Sequence, residues 1–268
     1  MSFLKAFRTD WSNRHLIASL LQRRISARYR GTALGLLWAI IMPLVMLAVY
    51  TLVFQTFLSV RWPGAEHGGG LVAALNIYLG LLVLNLVGEN MGSAPTLMQE
   101  HTPYIKKIVF PLPILGYVAA FATILPLAIG LVFVALFALA TPQAQVARLP
   151  LILFYWLPLI PLAVGLQWWL SALGVYLRDL TMVVTPVVTL LMFISPVFYS
   201  IHNLPKPWNE WLLYNPLTLP IESARMLLFG STLPPLEPVL GSLAATIVFA
   251  LLGRWVFNKL QKGFADVL

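Results

Sequence analysis

The side chains in this sequence that could do chemistry are a few acids, four histidines and many aromatic rings. Their spacing favours passage of a molecule over reaction with it. Glu89 closes an apolar run and reads either as a headgroup-level carboxylate or as the partner of an Arg or of the polar segment that follows. Arg178-Asp179 stands between two apolar runs, as a topology-setting turn with a local ion pair or as a cytoplasmic coupling or pore-mouth residue. The four His lie in non-spanning segments without metal-ligand spacing, and no Cys is present to make a thiolate site or a disulfide. Gly68–Gly70 is a loop tip: no Gly-rich loop leads into Lys-Ser or Lys-Thr, so the chain is not expected to bind ATP itself. Paired acids or His at membrane depth, which an intramembrane enzyme or ion-coupled pump would need, are missing from the apolar runs. Aromatic rings remain. Trp38, Tyr176, Phe198 and Tyr199 fall near the ends of apolar runs, where rings anchor in headgroups; Tyr50, Phe54, Trp168 and Trp169 lie deeper. The deep rings either pack or offer faces on which sugar C–H groups stack.

The elements that position these residues follow from composition. Of 268 residues, 60% are hydrophobic and 10% charged, whereas a soluble domain carries about 25% charged residues. The apolar excess must face lipid, so the fold class is an all-α polytopic membrane protein in a single domain over 1–268. Six runs approach the ~20 apolar residues that cross a bilayer: Leu34–Leu58, Leu71–Gly88, a stretch within Ile108–Thr141, Leu149–Leu177, Leu180–Ile201 and Val239–Gly253. Of the 17 Lys and Arg, only Arg61, Arg148, Lys206 and Arg225 fall on the side opposite the termini, which places both termini in the cytoplasm. The net charge of +8 then reflects topology and anionic lipid rather than nucleic acid. The basic stretch reaching Arg30 and the length of the first apolar run argue against a cleaved leader.

Three segments lie outside the spans. Residues 12–28 read as a helix in the membrane surface, with Leu16, Ile17, Leu20, Leu21 and Ile25 on one half and Arg24 and Arg28 intruding. Pro95–Phe110 is polar and flanked by prolines. Tyr199–Glu237 is too apolar for a solvated loop and too interrupted to span, so it reads as interfacial or re-entrant helices packed on protein. The whole describes a membrane path without an engine.

Several motifs, taken in order, resemble the type-2 ATP-binding-cassette export permeases, above all those that export lipid-linked O-antigen, capsule or teichoic acid. They are the basic helix followed by Tyr29-Arg30, Leu34-Gly35 with Trp38, "FPLPIL" at Phe110–Leu115, "YLRDL" at Tyr176–Leu180, "SPVFYSI" at Ser195–Ile201 and "NPLTLPIESARMLLFG" at Asn215–Gly230. The resemblance implies a homodimer in the bacterial inner membrane, with two cytoplasmic ATPase subunits that hold the ATP and Mg. It implies that 95–105 is a coupling helix docking on the ATPase, with Glu100, His101, Tyr104, Lys106 and Lys107 and, from the next cytoplasmic turn, Arg178 and Asp179. It makes 12–28 an interface helix, with Arg23, Arg24, Arg28 and Arg30, and 202–230 an outward gate, with Pro205, Trp208, Trp211, Asn215, Pro216, Glu222 and Arg225. Trp38, Tyr50, Phe54, Trp168, Trp169, Tyr176, Phe198 and Tyr199 become candidates for the substrate path. The reading favoured is export of a lipid-linked polysaccharide, most simply O-antigen. Export of a drug or small lipid, a lipid-linked sugar transferase and an assembly scaffold are the alternatives.

Overall fold

A computed structural model describes residues 12–30, 34–53, 69–106 and 110–268. Phe54, Arg61, Lys107 and the last part of the first apolar run lie outside the described residues. Within them all regular structure is helical. Four helical stretches are long and apolar enough to cross a membrane: Gly70–Ser93, Pro113–Leu139, Val146–Tyr176 and Glu237–Val267. Ile41–Tyr50 and Leu180–Ile194 are apolar but shorter. The chain is a multi-pass membrane protein.

We number the helices in chain order. The first, α1 (Arg14–Tyr29), half-buries Leu16, Ile17, Leu20, Leu21, Arg24 and Ile25, the i, i+4 face that the sequence singles out. That face lies on α6 (Pro113–Ala122), so protein as well as lipid covers it. Next, α2 (Trp38–Thr51) carries Pro43 inside it and leaves Met42, Val45, Met46 and Val49 exposed. The centre is α3 (Gly69–Ser93), an unbroken helix whose residues from Val72 to Val87 are nearly all buried, with Asn85 exposed.

Two long apolar stretches break where the sequence interrupts the backbone ladder. Pro126 has no N–H to give to Ala122, and α6 passes to α7 (Ile124–Leu139) at Thr123. Pro158 follows the turn at which α8 (Leu149–Tyr155) gives way to α9 (Leu159–Tyr176). α9 and α13 (Glu237–Leu260) form the most extensive helix pair, and small residues set their separation. A Cβ on Gly165 would stand 3.0 Å from Ala250 Cα, and one on Gly253 would stand 2.7 Å from the Trp169 ring. Backbones come this close only where side chains are absent.

Short elements close the ends. At the end that carries the C-terminus lie α4 (Leu97–Glu100), α5 (Thr102–Lys106) and α14 (Phe264–Val267). At the opposite end, after α10 (Leu180–Ile194), lie α11 (Trp208–Leu212) and α12 (Thr218–Phe229). The α12 helix is buried on nearly every side, packed on α8 and α3. An apolar segment too short to span does have to find protein cover.

Candidate functional site: a conduit through the bundle

Two cavities meet at Tyr50. The larger, about 650 Å³, runs between α2, α3 and the α6–α7 break. Arg28 and Glu89 stand at one end of it and Tyr50 and Tyr78 at the other, with Trp38, Met42, Met46, Asn85 and Thr123 along the walls. The smaller, about 400 Å³, also has Tyr50 in its lining and lies between Val49, Met192, Phe193, Phe198 and Tyr199. The rings of Tyr50 and Phe198 stand 6.2 Å apart at the junction.

Among the described residues the only charged side chains on either lining are Arg28 and Glu89, and they pair with each other. Arg28 Nη1 and Nη2 donate to the two Glu89 carboxylate oxygens, the second at 3.2 Å. The fork-to-carboxylate geometry is the strong form of this pair. It also ties α1 to the end of α3, so Glu89 takes the Arg partner that the sequence left open. The rest of the lining is aliphatic side chains and prolines (Pro43, Leu81, Leu82, Leu86, Val49 and Val53 among them), with aromatic rings, thioethers, one amide and hydroxyls between them. Such a surface binds by stacking and neutral hydrogen bonds, and it holds an uncharged polar chain without fixing it at one point.

The path candidates divide sharply. Trp38, Tyr50, Phe198 and Tyr199 line the cavities. Trp168 does not: it is 1% exposed, its indole donates to Pro113 O at 3.0 Å, and its ring meets Tyr117 edge-on at 4.9 Å. The Arg254 guanidinium lies 5.1 Å from the same ring. Trp169 donates to Phe249 O and stacks on the Phe249 ring, and Tyr176 donates to Leu260 O. These three rings join α9 to its neighbours, and Trp168 has no free face on which a sugar could stack. The sequence pass missed Met42, Met46, Tyr78 and Asn85. Their signal was there only in part: on α3, Tyr78, Asn85 and Glu89 recur at intervals of seven and four, one helical face.

The polar segment forms a knob at the C-terminal end. Leu97 and Met98 anchor it, fully buried, while Gln99 and Glu100 are exposed. Thr96 Oγ1 donates to Glu100 Oε1 at 2.8 Å, His101 Nδ1 donates to Leu97 O, and His101 stacks on Tyr104 at 5.9 Å. Lys106 is exposed. The knob rests on α9: Gln99 Nε2 donates to Gly174 O at 3.3 Å, and a Cβ on Gly174 would lie 2.3 Å from Pro95 O. Arg178 and Asp179 are exposed on the following turn, and no ion pair joins them. On α1, Arg23 and Arg30 are exposed and Arg24 is half-buried.

At the other end, Pro205, Trp208, Trp211 and Pro216 are exposed, and Lys206 pairs with Glu210 at 3.4 Å. Asn215 Nδ2 donates to Ser195 Oγ while its Oδ1 accepts from Leu217 N, which starts α12. Glu222 and Arg225 lie on α12 and pair at 2.9 Å, with Arg225 deeply buried.

Residues 15–229 match the family described as ABC-2 type transporter. The O-antigen export system permease protein RfbA of Myxococcus xanthus is 23% identical over 98% of this chain and 99% of its own length. The capsule polysaccharide export inner-membrane protein CtrC of Neisseria meningitidis serogroup A is 25% identical over 93% of this chain and 92% of its own length. The polysialic acid transport protein KpsM of Escherichia coli is 22% identical over 78% of this chain and 79% of its own length. The ordered motifs, the helical membrane architecture and a family match over most of the sequence agree: the chain belongs to the ABC-2 type transporter family.

Proposed function

We propose that this chain is the permease subunit of an ATP-driven exporter that moves a lipid-linked polysaccharide, most simply O-antigen, out across the inner membrane. The observation that carries the reading is a pair of cavities that share Tyr50, lined by aliphatic, aromatic and thioether side chains, whose one Arg and one Glu pair with each other. They sit in a chain whose relatives, over more than nine-tenths of their own length, are named as an O-antigen export system permease and a capsule polysaccharide export inner-membrane protein. A polymer threading the membrane needs a surface that holds every repeat weakly and none tightly.

In this reading six spans cross the membrane, the shorter apolar helices α2 and α10 being the first and fifth. Both termini face the cytoplasm, where most of the Lys and Arg lie. Two copies of the chain pair, and two cytoplasmic ATPase subunits holding ATP and Mg dock on the knob at 95–105. Glu100, His101, Tyr104, Lys106 and Lys107 would make that contact, with Arg178 and Asp179 beside it and α1 at its edge. Closure of the ATPases on ATP would push the knob, and α11 and α12 would gate the outer mouth.

Co-purification from mild detergent with mass spectrometry of the partners tests the assembly. An equimolar cassette ATPase is expected, and recovery of the chain alone under several detergents would overturn the reading. Deletion of the gene should leave polymer inside the cell. Normal surface polymer in the deletion strain would remove polysaccharide as the cargo.

A further inference from the structure

The α12 helix carries one arginine into an otherwise apolar environment, and its contacts reach three different parts of the fold. Arg225 is 5% exposed. Its Nη1 donates to Pro196 O at 2.6 Å, to Glu222 Oε1 at 2.9 Å and to Tyr199 O at 3.2 Å; Nη2 donates to Val197 O at 2.7 Å; Nε donates to Asn76 O at 3.0 Å. Four of the five acceptors are main-chain carbonyls. Three belong to the turn that follows α10, where the helix has ended at Ile194 and its ladder no longer supplies donors. Carbonyls at such a depth must find partners within the protein.

The turn is seated as closely as backbone allows. A Cβ on Gly80 would meet Val197 Cα at 3.0 Å and Arg225 Nη2 at 3.2 Å, so the turn and the guanidinium lie directly on α3. A second tether, Asn215 to Ser195, fixes the start of the same turn. The turn presents Phe198 to Tyr50 and places Phe198 and Tyr199 on the wall of the smaller cavity. Tyr50, the ring common to both linings, therefore faces a ring on a segment whose carbonyls Arg225 holds.

We propose that Arg225 is the positioning residue of the outer constriction: it clamps the 196–199 turn to α3 and α12 and so holds Phe198 against Tyr50. The proposal rests on reading the two cavities as one conduit. Arg225 bonds to the carbonyls of Pro196, Val197 and Tyr199, so the residue acts through the turn. A planar fork with five donors can bridge three elements at once, whereas a lysine ammonium offers three donors from one point. A lysine here keeps the charge and loses the span.

The sequence has no cysteine, so a single introduced thiol is a clean reporter. Met46→Cys places it in the larger cavity, beyond the constriction as seen from the side opposite the termini. The permease–ATPase complex, in spheroplasts without added substrate, is exposed to a membrane-impermeant maleimide. Labelling should be slow with Arg225 intact and at least about tenfold faster in Arg225→Met, which removes all five hydrogen bonds, tenfold being what the loss of one charge-assisted hydrogen bond alone corresponds to. Arg225→Lys should fall between, with normal membrane insertion and ATPase binding. A merely structural role would lower the amount of complex without changing the rate per molecule. Tyr50→Ala, which removes the opposing ring, separates the two claims. If Tyr50→Ala labels fast and Arg225→Met labels at the wild-type rate, the positioning role is overturned and the conduit stands. If neither variant changes the rate, the conduit reading fails and takes the proposal with it. Should Arg225→Met fail to insert, Arg225→Lys carries the test, and a wild-type rate in it overturns the assignment.

Discussion

Gly174→Ala is the smallest change that should separate the knob from the bundle. The added methyl carbon would lie 2.3 Å from Pro95 O, 2.7 Å from Pro95 Cα and 2.8 Å from Pro95 C. These are main-chain atoms, so no rotamer change relieves the overlap. To restore an ordinary contact, the Pro95 backbone must retreat from α9 by about 1 Å. The hydrogen bond from Gln99 to Gly174 O, already 3.3 Å, would stretch past its useful range. Overpacking of this kind costs about 1–3 kcal/mol, and the lost hydrogen bond about 1 kcal/mol. Leu97 and Met98 remain buried, so the helix should still form while its seating shifts. Three readouts belong together: the amount of chain in the membrane, ATPase activity of the purified complex, and polymer at the cell surface. The expected result is near-normal amount, retained ATP hydrolysis and export reduced several-fold. Wild-type export and wild-type thermal stability of the complex would show that the knob and α9 need not touch this closely, and the reasoning would fail.

Glu100→Ala should lower export and ATPase co-purification while leaving insertion unchanged, because Glu100 is exposed and, among the described residues, its carboxylate accepts a hydrogen bond only from the neighbouring Thr96 hydroxyl; normal export would remove it from the docking surface. Trp168→Ala should cost about 3–5 kcal/mol as a core truncation and cut the amount of protein, whereas Tyr50→Ala should leave the amount near normal and change the quantity or length of exported polymer; the opposite pattern would reverse their assignments. Reversing the Arg28–Glu89 pair should restore whatever either single reversal loses in export, and failure of the double variant to recover would mean the pair does more than tie α1 to α3. Each single reversal should change stability by no more than about 1 kcal/mol, since both side chains are more than one-third exposed.

Helix placement was legible because it depends on quantities a sequence carries openly: the length of apolar runs, the positions of prolines and the imbalance of Lys and Arg. The face of α1 shows this well, because Leu16, Ile17, Leu20, Leu21 and Ile25 have the helical period and are the residues half-buried on α6. The breaks inside the third and fourth apolar runs follow Pro126 and Pro158. Span length was less legible. Leu180–Ile194 is a shorter helix than the apolar run to Ile201 that contains it, since hydropathy does not say where an apolar segment leaves the helix. The conduit was hardest of all. Trp38 and Trp168 are the same residue in the same kind of run, yet one lines a cavity and the other is sealed behind Tyr117 and Pro113. In lipid both the outside and the inside of a bundle are apolar, so the pattern that separates core from surface in a soluble protein loses its contrast.

Helix α3 draws the two ends of the molecule into one mechanical problem. It is 25 residues long with no proline inside it, a rod of about 37 Å. At one end it passes through Ala94 and Pro95 into the knob, where Gly174 leaves the backbone no room to slide. Near the other end Asn76 O accepts from Arg225, and Gly80 bears the turn that carries Phe198. Between them Asn90 is tied across the bundle, donating to Thr123 Oγ1 at 2.9 Å and accepting from Gln167 Nε2 at 3.0 Å. A force applied to Leu97 and Met98 therefore meets no soft joint before it reaches the residues that hold the constriction. The soft joints lie elsewhere, at the Thr123 and Trp156–Pro158 breaks and in the Pro43-containing α2. Relative movement is thus expected between the α3 rod and the α2 wall, and this is the boundary along which the larger cavity runs.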